Sequence, residues 1–175
     1  MKQTVGNSIR KIEFSNNGMS DSLTGAPSPK LFLDNLTREI SKSKRKPQAI
    51  SIITIKLLPA SVITGKKSKS NIGSEVTEFE KDLLAMSKTI KSNMRSSDFY
   101  SRLAENGFWL CIQGDFNESE KTVLRMGSKL SESRARLIGE KRIDFAIYEW
   151  NSAQDVNAMI KEIDLKYFVQ PQCKV

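Results

Sequence analysis

Phe99-Tyr-Ser-Arg102-Leu103-Ala104-Glu105-Asn106-Gly107-Phe108-Trp109-Leu110-Cys111-Ile112 holds two short apolar runs, Phe99 to Leu103 and Phe108 to Ile112, split by four residues that end in Asn-Gly. Both Asn and Gly tolerate the positive φ of a type I′ turn, so the pair marks a β-hairpin with its turn at Ala104 to Gly107. A hairpin needs more strands and a covering layer before it is stable. The flanking sequence supplies both.

Upstream, Val76, Phe79, Leu83, Met86 and Ile90 recur at helical spacing, with Leu84 and Met94 beside them, and predict a long helix. Before it, Ala49 to Leu58 is dense in isoleucine and leucine and reads as a central strand. Leu31, Phe32, Leu36 and Ile40 mark an earlier amphipathic helix that ends at a basic cluster and Pro47. Downstream come a helix from about Glu118 to Ser133, a strand at Ile143 to Tyr148 and a helix from Ala153 to about Phe168. This order implies an α/β fold with a central, mostly antiparallel sheet of about five strands flanked by helices. Residues 1–20 form a polar lead-in segment, and Thr64 to Thr77, rich in Lys, Ser and Gly, reads as a loop.

Composition narrows the chemistry. A chain of 175 residues suffices for one substantial core. The longest apolar stretch, Ala49 to Ile63, is interrupted by Lys56 and Pro59 and is too short to cross a bilayer, and Met1 to Arg10 lacks the apolar core of a signal peptide. The expected location is the cytoplasm, without membrane attachment. Cys111 and Cys173 stand far apart and suggest neither a disulfide framework nor a metal cluster; Cys111 reads as a buried small hydrophobe. There is no histidine, so any catalysis would rest on carboxylates. The net charge of +8 favours anionic partners, although Lys42, Lys44, Arg45 and Lys46, and again Lys66, Lys67 and Lys69, read as solvated clusters. Nothing in the sequence forms a nucleic-acid reading element.

Three short motifs then occur in register. Asp21-Ser22-Leu23-Thr24-Gly25 is similar to the D-x-L-T-G that opens GGDEF domains, the diguanylate cyclase family. Arg95-Ser-Ser-Asp98-Phe-Tyr-Ser-Arg102-Leu103 resembles that family's R-x-x-D-x-x-x-R-[LY] approach to its signature hairpin, and Ile163-Asp164-Leu-Lys-Tyr-Phe168 resembles its A-D-x-A-L-Y helix. The resemblance covers residues 21–170, leaving 171–175 as a tail. It implies the GGDEF, nucleotidyl-cyclase-like fold.

The resemblance also implies where cyclase chemistry would sit, and the residues there are wrong for it. Cyclases place metal-binding carboxylates on the first central strand and on the signature hairpin. Here Ala104 and Glu105 replace the glycines, Asn106 replaces the acid, Gly107 replaces the glutamate, and only Phe108 matches. Thr54 and Lys56 stand near the family's D-x-D, and Pro59 near its lysine. An uncharged amide is a poor Mg²⁺ ligand, so the expectation is a degenerate domain with no cyclase activity, no metal and no cofactor.

In active members an R-x-x-D five residues before the signature binds the product, cyclic di-GMP. Arg95 and Asp98 have that placement, with Phe99 to Leu103 as the five intervening residues. An Arg fork donates to guanine O6 and N7 while a carboxylate accepts from N1 and N2 hydrogens. Arg125 and Lys129, four apart on the next helix, are the candidate helpers. The expected function is an inactive GGDEF domain that serves as a cyclic di-GMP receptor, with the two-guanine ligand able to bridge a homodimer. The alternative is a scaffold that binds no nucleotide and engages a protein partner the sequence does not identify. Arg102 is expected to be structural, paired with a carboxylate, Asp164 to have a helix or hydrogen-bonding role, and Phe99, Tyr100, Trp109 and Trp150 to serve core and cross-strand packing.

Overall fold

The computed structural model describes residues 18–58, 77–133 and 142–169. The helices start where the sequence provides caps. Ser28 accepts the Leu31 N–H and Pro29 fills the first turn of α1 (Pro29–Arg45). Thr77 and Glu80 form a reciprocal capping box on α2 (Glu78–Asn93). Asp115 accepts the Glu118 N–H at the start of α3 (Phe116–Ser133), and Asp155 accepts the N–H groups of Asn157 and Ala158 at the start of α4 (Val156–Val169). These two aspartates explain why α3 begins before Glu118 and α4 after Ala153.

Four strands, β1 (Ser51–Leu57), β2 (Phe99–Ala104), β3 (Gly107–Ile112) and β4 (Ile143–Glu149), form an antiparallel sheet in the order β2-β3-β1-β4. The fold class expected from the sequence holds, with four strands among the described residues rather than about five. β1 is central and covered on both faces, which accounts for its nearly continuous run of apolar residues. Ile53, Ile55 and Leu57, with Phe108, Leu110 and Ile112, pack against Leu83, Met86 and Ile90 of α2 and Met126 and Leu130 of α3. Ile52, Trp109 and Cys111 pack on the other face against Phe32, Leu36 and Ile40 of α1 and Met159 and Ile163 of α4. Tyr100, Trp109 and Trp150 are buried, and Phe99 meets Phe32 edge-on at 5.3 Å, as expected of core aromatics. Burial pushes the Cys111 thiol far above its usual range, with Asp98 and Glu39 adding to the effect.

The D-x-L-T-G segment is a locked turn. Asp21 Oδ2 accepts from the Thr24 N–H and hydroxyl at 2.8 and 2.6 Å, and Gly25 adopts φ +66° to let its N–H reach the Asp21 carbonyl. Arg102 Nη1 lies 3.0 Å from Asp21 Oδ1 and 3.1 Å from Oδ2, and both side chains are fully buried. Arg102 is therefore structural, and Asp21 is its carboxylate. Nη2 adds a bond to the Glu105 carbonyl, so one guanidinium ties the turn, β2 and the hairpin together.

Candidate ligand-binding site

The signature-like residues lie at one end of the sheet. Ala104 pairs with Gly107, and Glu105 and Asn106 are the two turn residues. The turn spans Ala104 to Gly107 as expected, but its two central residues are Glu105 and Asn106 rather than Asn-Gly: Gly107 already belongs to β3, and the positive-φ glycines among the described residues are Gly18 and Gly25. Asn106 is tied to the neighbouring strand. Its carbonyl accepts the Leu57 N–H at 2.7 Å, and its Nδ2 donates to the Leu57 carbonyl at 3.0 Å. The residue at the acid's position thus clamps the end of β1.

Across from it, Lys56 stands opposite Gly107 on one side and Asp144 on the other, and Thr54 is buried opposite Trp109 and Ala146. Glu105 is exposed at the tip, and Phe108 is core. An amide spent on backbone, a threonine and a lysine do not fit the paired Mg²⁺ ions of a nucleotidyl cyclase, which need convergent oxygen anions. Among the described residues, no group of three or more His, Cys, Asp or Glu is placed to hold a metal. Asn106→Asp is expected to set a carboxylate against the Leu57 carbonyl and cost about 1–3 kcal/mol. A thermal melt should show Tm lower by several degrees, and a GTP assay should show no gain of turnover.

Arg95 and Asp98 lie at the opposite end of the sheet, in the turn between α2 and β2. The Asp98 N–H donates to the Arg95 carbonyl at 3.1 Å, and Asp98 Oδ2 accepts the Arg95 N–H at 3.1 Å. Its Oδ1 accepts the Gln113 N–H at 3.2 Å, joining the turn to the end of β3. Asp98 therefore holds the backbone that presents Arg95. The Arg95 guanidinium is half exposed, with Nη1 3.8 Å from Glu118 Oε1 on α3.

Arg125 Nη2 donates to the Asn93 carbonyl at 3.1 Å, placing it against the last turn of α2, where a cation satisfies an orphan carbonyl and the helix dipole. Arg95, Asp98 and Arg125 thus gather around the C-terminal end of α2. Lys129 lies one turn further along α3 and is exposed. Glu118 carries no motif and was not picked out from the sequence; only its place on the first turn of the helix after the hairpin could have suggested it.

Elsewhere, a cavity of about 250 Å³ lies between β4 and α4, lined by Tyr148, Gln154, Met159, Glu162 and Lys166 among others. Ile163 and Lys166 of the Ile163–Phe168 motif line it, but Arg95, Asp98, Arg125 and Lys129 do not. Asp164 sits on α4, where partial burial raises its carboxyl pKa. No helix among the described residues is long and apolar enough to cross a membrane.

Solved structures share this fold. The chain superposes on the diguanylate cyclase SiaD of Pseudomonas aeruginosa, solved with its activator SiaC, with TM-score 0.62 and 17% identity over 83% of this chain. The GGDEF domain of DgcB from Caulobacter crescentus, solved in complex with c-di-GMP, matches with TM-score 0.63 and 11% identity over 89% of this chain and 91% of that one. The fold is that of GGDEF domains. The FimX GGDEF domain of P. aeruginosa gives TM-score 0.61 and 12% identity over 83% of this chain and 89% of its own. Against SiaD the chain spans 55% of the other protein's length. No protein-family model matches the sequence, and no curated protein is significantly similar to it.

Proposed function

We propose that this GGDEF-fold domain is a catalytically inactive receptor for cyclic di-GMP, bound through Arg95 and its turn. The observation that carries the reading is the separation of the two ends of the sheet. At one end the acid and glutamate positions hold Asn106, which is spent on Leu57, and Gly107. At the other, Asp98 braces a turn that offers a half-exposed guanidinium, and Arg125 stands beside the same helix end. An Arg fork that reads guanine O6 and N7 gives the site a base to recognise, and nearby cations offset phosphate charge. A GGDEF domain solved with c-di-GMP supports the ligand class. A ligand with two guanines can also bridge two copies of the domain.

Calorimetric titration tests the reading. Cyclic di-GMP should bind and GTP should bind far more weakly, with no cyclic product formed from GTP and Mg²⁺ or Mn²⁺. Arg95→Ala should weaken cyclic di-GMP binding by about tenfold or more, on the scale of a lost bidentate contact, and more than Arg125→Ala does. Light scattering with ligand reports bridging. A parent that does not bind, or an Arg95→Ala variant that binds as the parent does, leaves the scaffold function instead.

A further inference from the structure

We infer that Glu118, not Asp98, supplies the carboxylate that reads the Watson–Crick edge of a guanine held by Arg95. The inference rests on the receptor reading above and reassigns one of its two base-reading roles.

Asp98 is engaged by the backbone. Its Oδ2 takes the Arg95 N–H at 3.1 Å, and its Oδ1 takes the Gln113 N–H at 3.2 Å and the Ser97 hydroxyl at 3.4 Å. Swinging this carboxylate toward a ligand would release the turn that presents Arg95 and leave N–H groups without acceptors.

Glu118 is placed differently. Its Oε1 lies 3.8 Å from Arg95 Nη1, with both side chains about half exposed. That separation is too long for a hydrogen bond, so the fork and the carboxylate stand side by side, each keeping hydrogen-bonding capacity for a third group. Guanine fits such a pair: O6 and N7 accept from the fork, while the N1 and N2 hydrogens donate to a carboxylate on the adjoining edge.

The position of Glu118 is also built in. Its N–H is fixed by Asp115 Oδ1 at 2.9 Å. Its side chain lies over Gly114, where an added Cβ would come within 2.1 Å of Oε2 and 3.1 Å of the Glu118 Cβ. A side chain at position 114 would therefore displace the carboxylate from beside Arg95.

The test uses the whole chain and two ligands, cyclic di-GMP and its inosine analogue cyclic di-IMP, whose hypoxanthine bases lack the N2 amino group. The parent should prefer cyclic di-GMP by about tenfold, on the scale of one good bidentate pair. Glu118→Ala should reduce that preference to less than about twofold while leaving Tm unchanged, and Gly114→Ala should shift the preference in the same direction. Asp98→Asn should lower Tm and weaken both ligands alike, keeping the preference. An unchanged preference in Glu118→Ala overturns the inference, including the case in which both ligands bind more tightly because Glu118 merely competes for Arg95. So does a preference lost in Asp98→Asn at unchanged Tm. A parent that binds neither ligand removes the receptor reading itself, and the inference with it.

Discussion

Arg102→Met is expected to destabilise the protein by about 3–5 kcal/mol, the cost of stranding one member of a buried ion pair. Against a total stability of roughly 5–15 kcal/mol, the loss takes a large share of the folded state's margin. The reason lies in what Arg102 joins. Its guanidinium meets both oxygens of Asp21, and Asp21 at the same time holds the Thr24 N–H and hydroxyl. Without the guanidinium, a carboxylate is left fully buried, while the Ser101 hydroxyl still donates to the Pro27 carbonyl just beyond the turn. Removing both charges, in Asp21→Asn with Arg102→Met, should recover part of the loss, because the uncompensated charge is then gone. Urea unfolding of the two single variants and the double variant measures this as a cycle. If Arg102→Met costs less than about 1 kcal/mol, in the range of an exposed pair, the pair does not hold the turn.

The positions of the elements were legible in the sequence because periodicity reports burial. Ile53, Ile55 and Leu57 face one helical layer while Ile50 and Ile52 face the other, and the helices recur at the spacing that covers those two faces. Asp21 and Arg102 were each marked by a motif. That they meet was not written locally, since 81 positions separate them. The hairpin and its Ala104–Gly107 turn were legible; that the Asn106 side chain grips Leu57, 49 positions away, was not. At the candidate site the sequence shows an arginine and an acid three apart. It does not show that the acid's oxygens are taken up by the Arg95 and Gln113 N–H groups, nor that Glu118 stands beside the guanidinium. Which backbone groups a carboxylate holds is a tertiary fact.

A second buried pair carried no sequence signal. Arg142, just before β4, places Nη1 3.1 Å from Asp82 Oδ2 on α2, with both side chains almost wholly buried. Its Nε donates to the Leu58 carbonyl at 3.1 Å, and the Leu58 N–H donates back to the Arg142 carbonyl at 2.7 Å. With Asn106 on Leu57, this means the end of β1 is held from the hairpin on one side and from β4 and α2 on the other. Asp82→Ala should therefore cost about 3–5 kcal/mol, comparable to the loss at Arg102 but with a different footprint. Hydrogen exchange should show it first in the amides of β4 and at Leu58, while the β2–β3 pairing, which Arg142 does not touch, keeps more of its protection. Replacing both partners, Asp82→Leu with Arg142→Met, should return stability to near the parent value or above it, since a well-packed apolar pair avoids the desolvation of two charges. Equal loss of protection across β2, β3 and β4 in Asp82→Ala would mean that the sheet opens as one unit. In that case the pair does not act locally on β4.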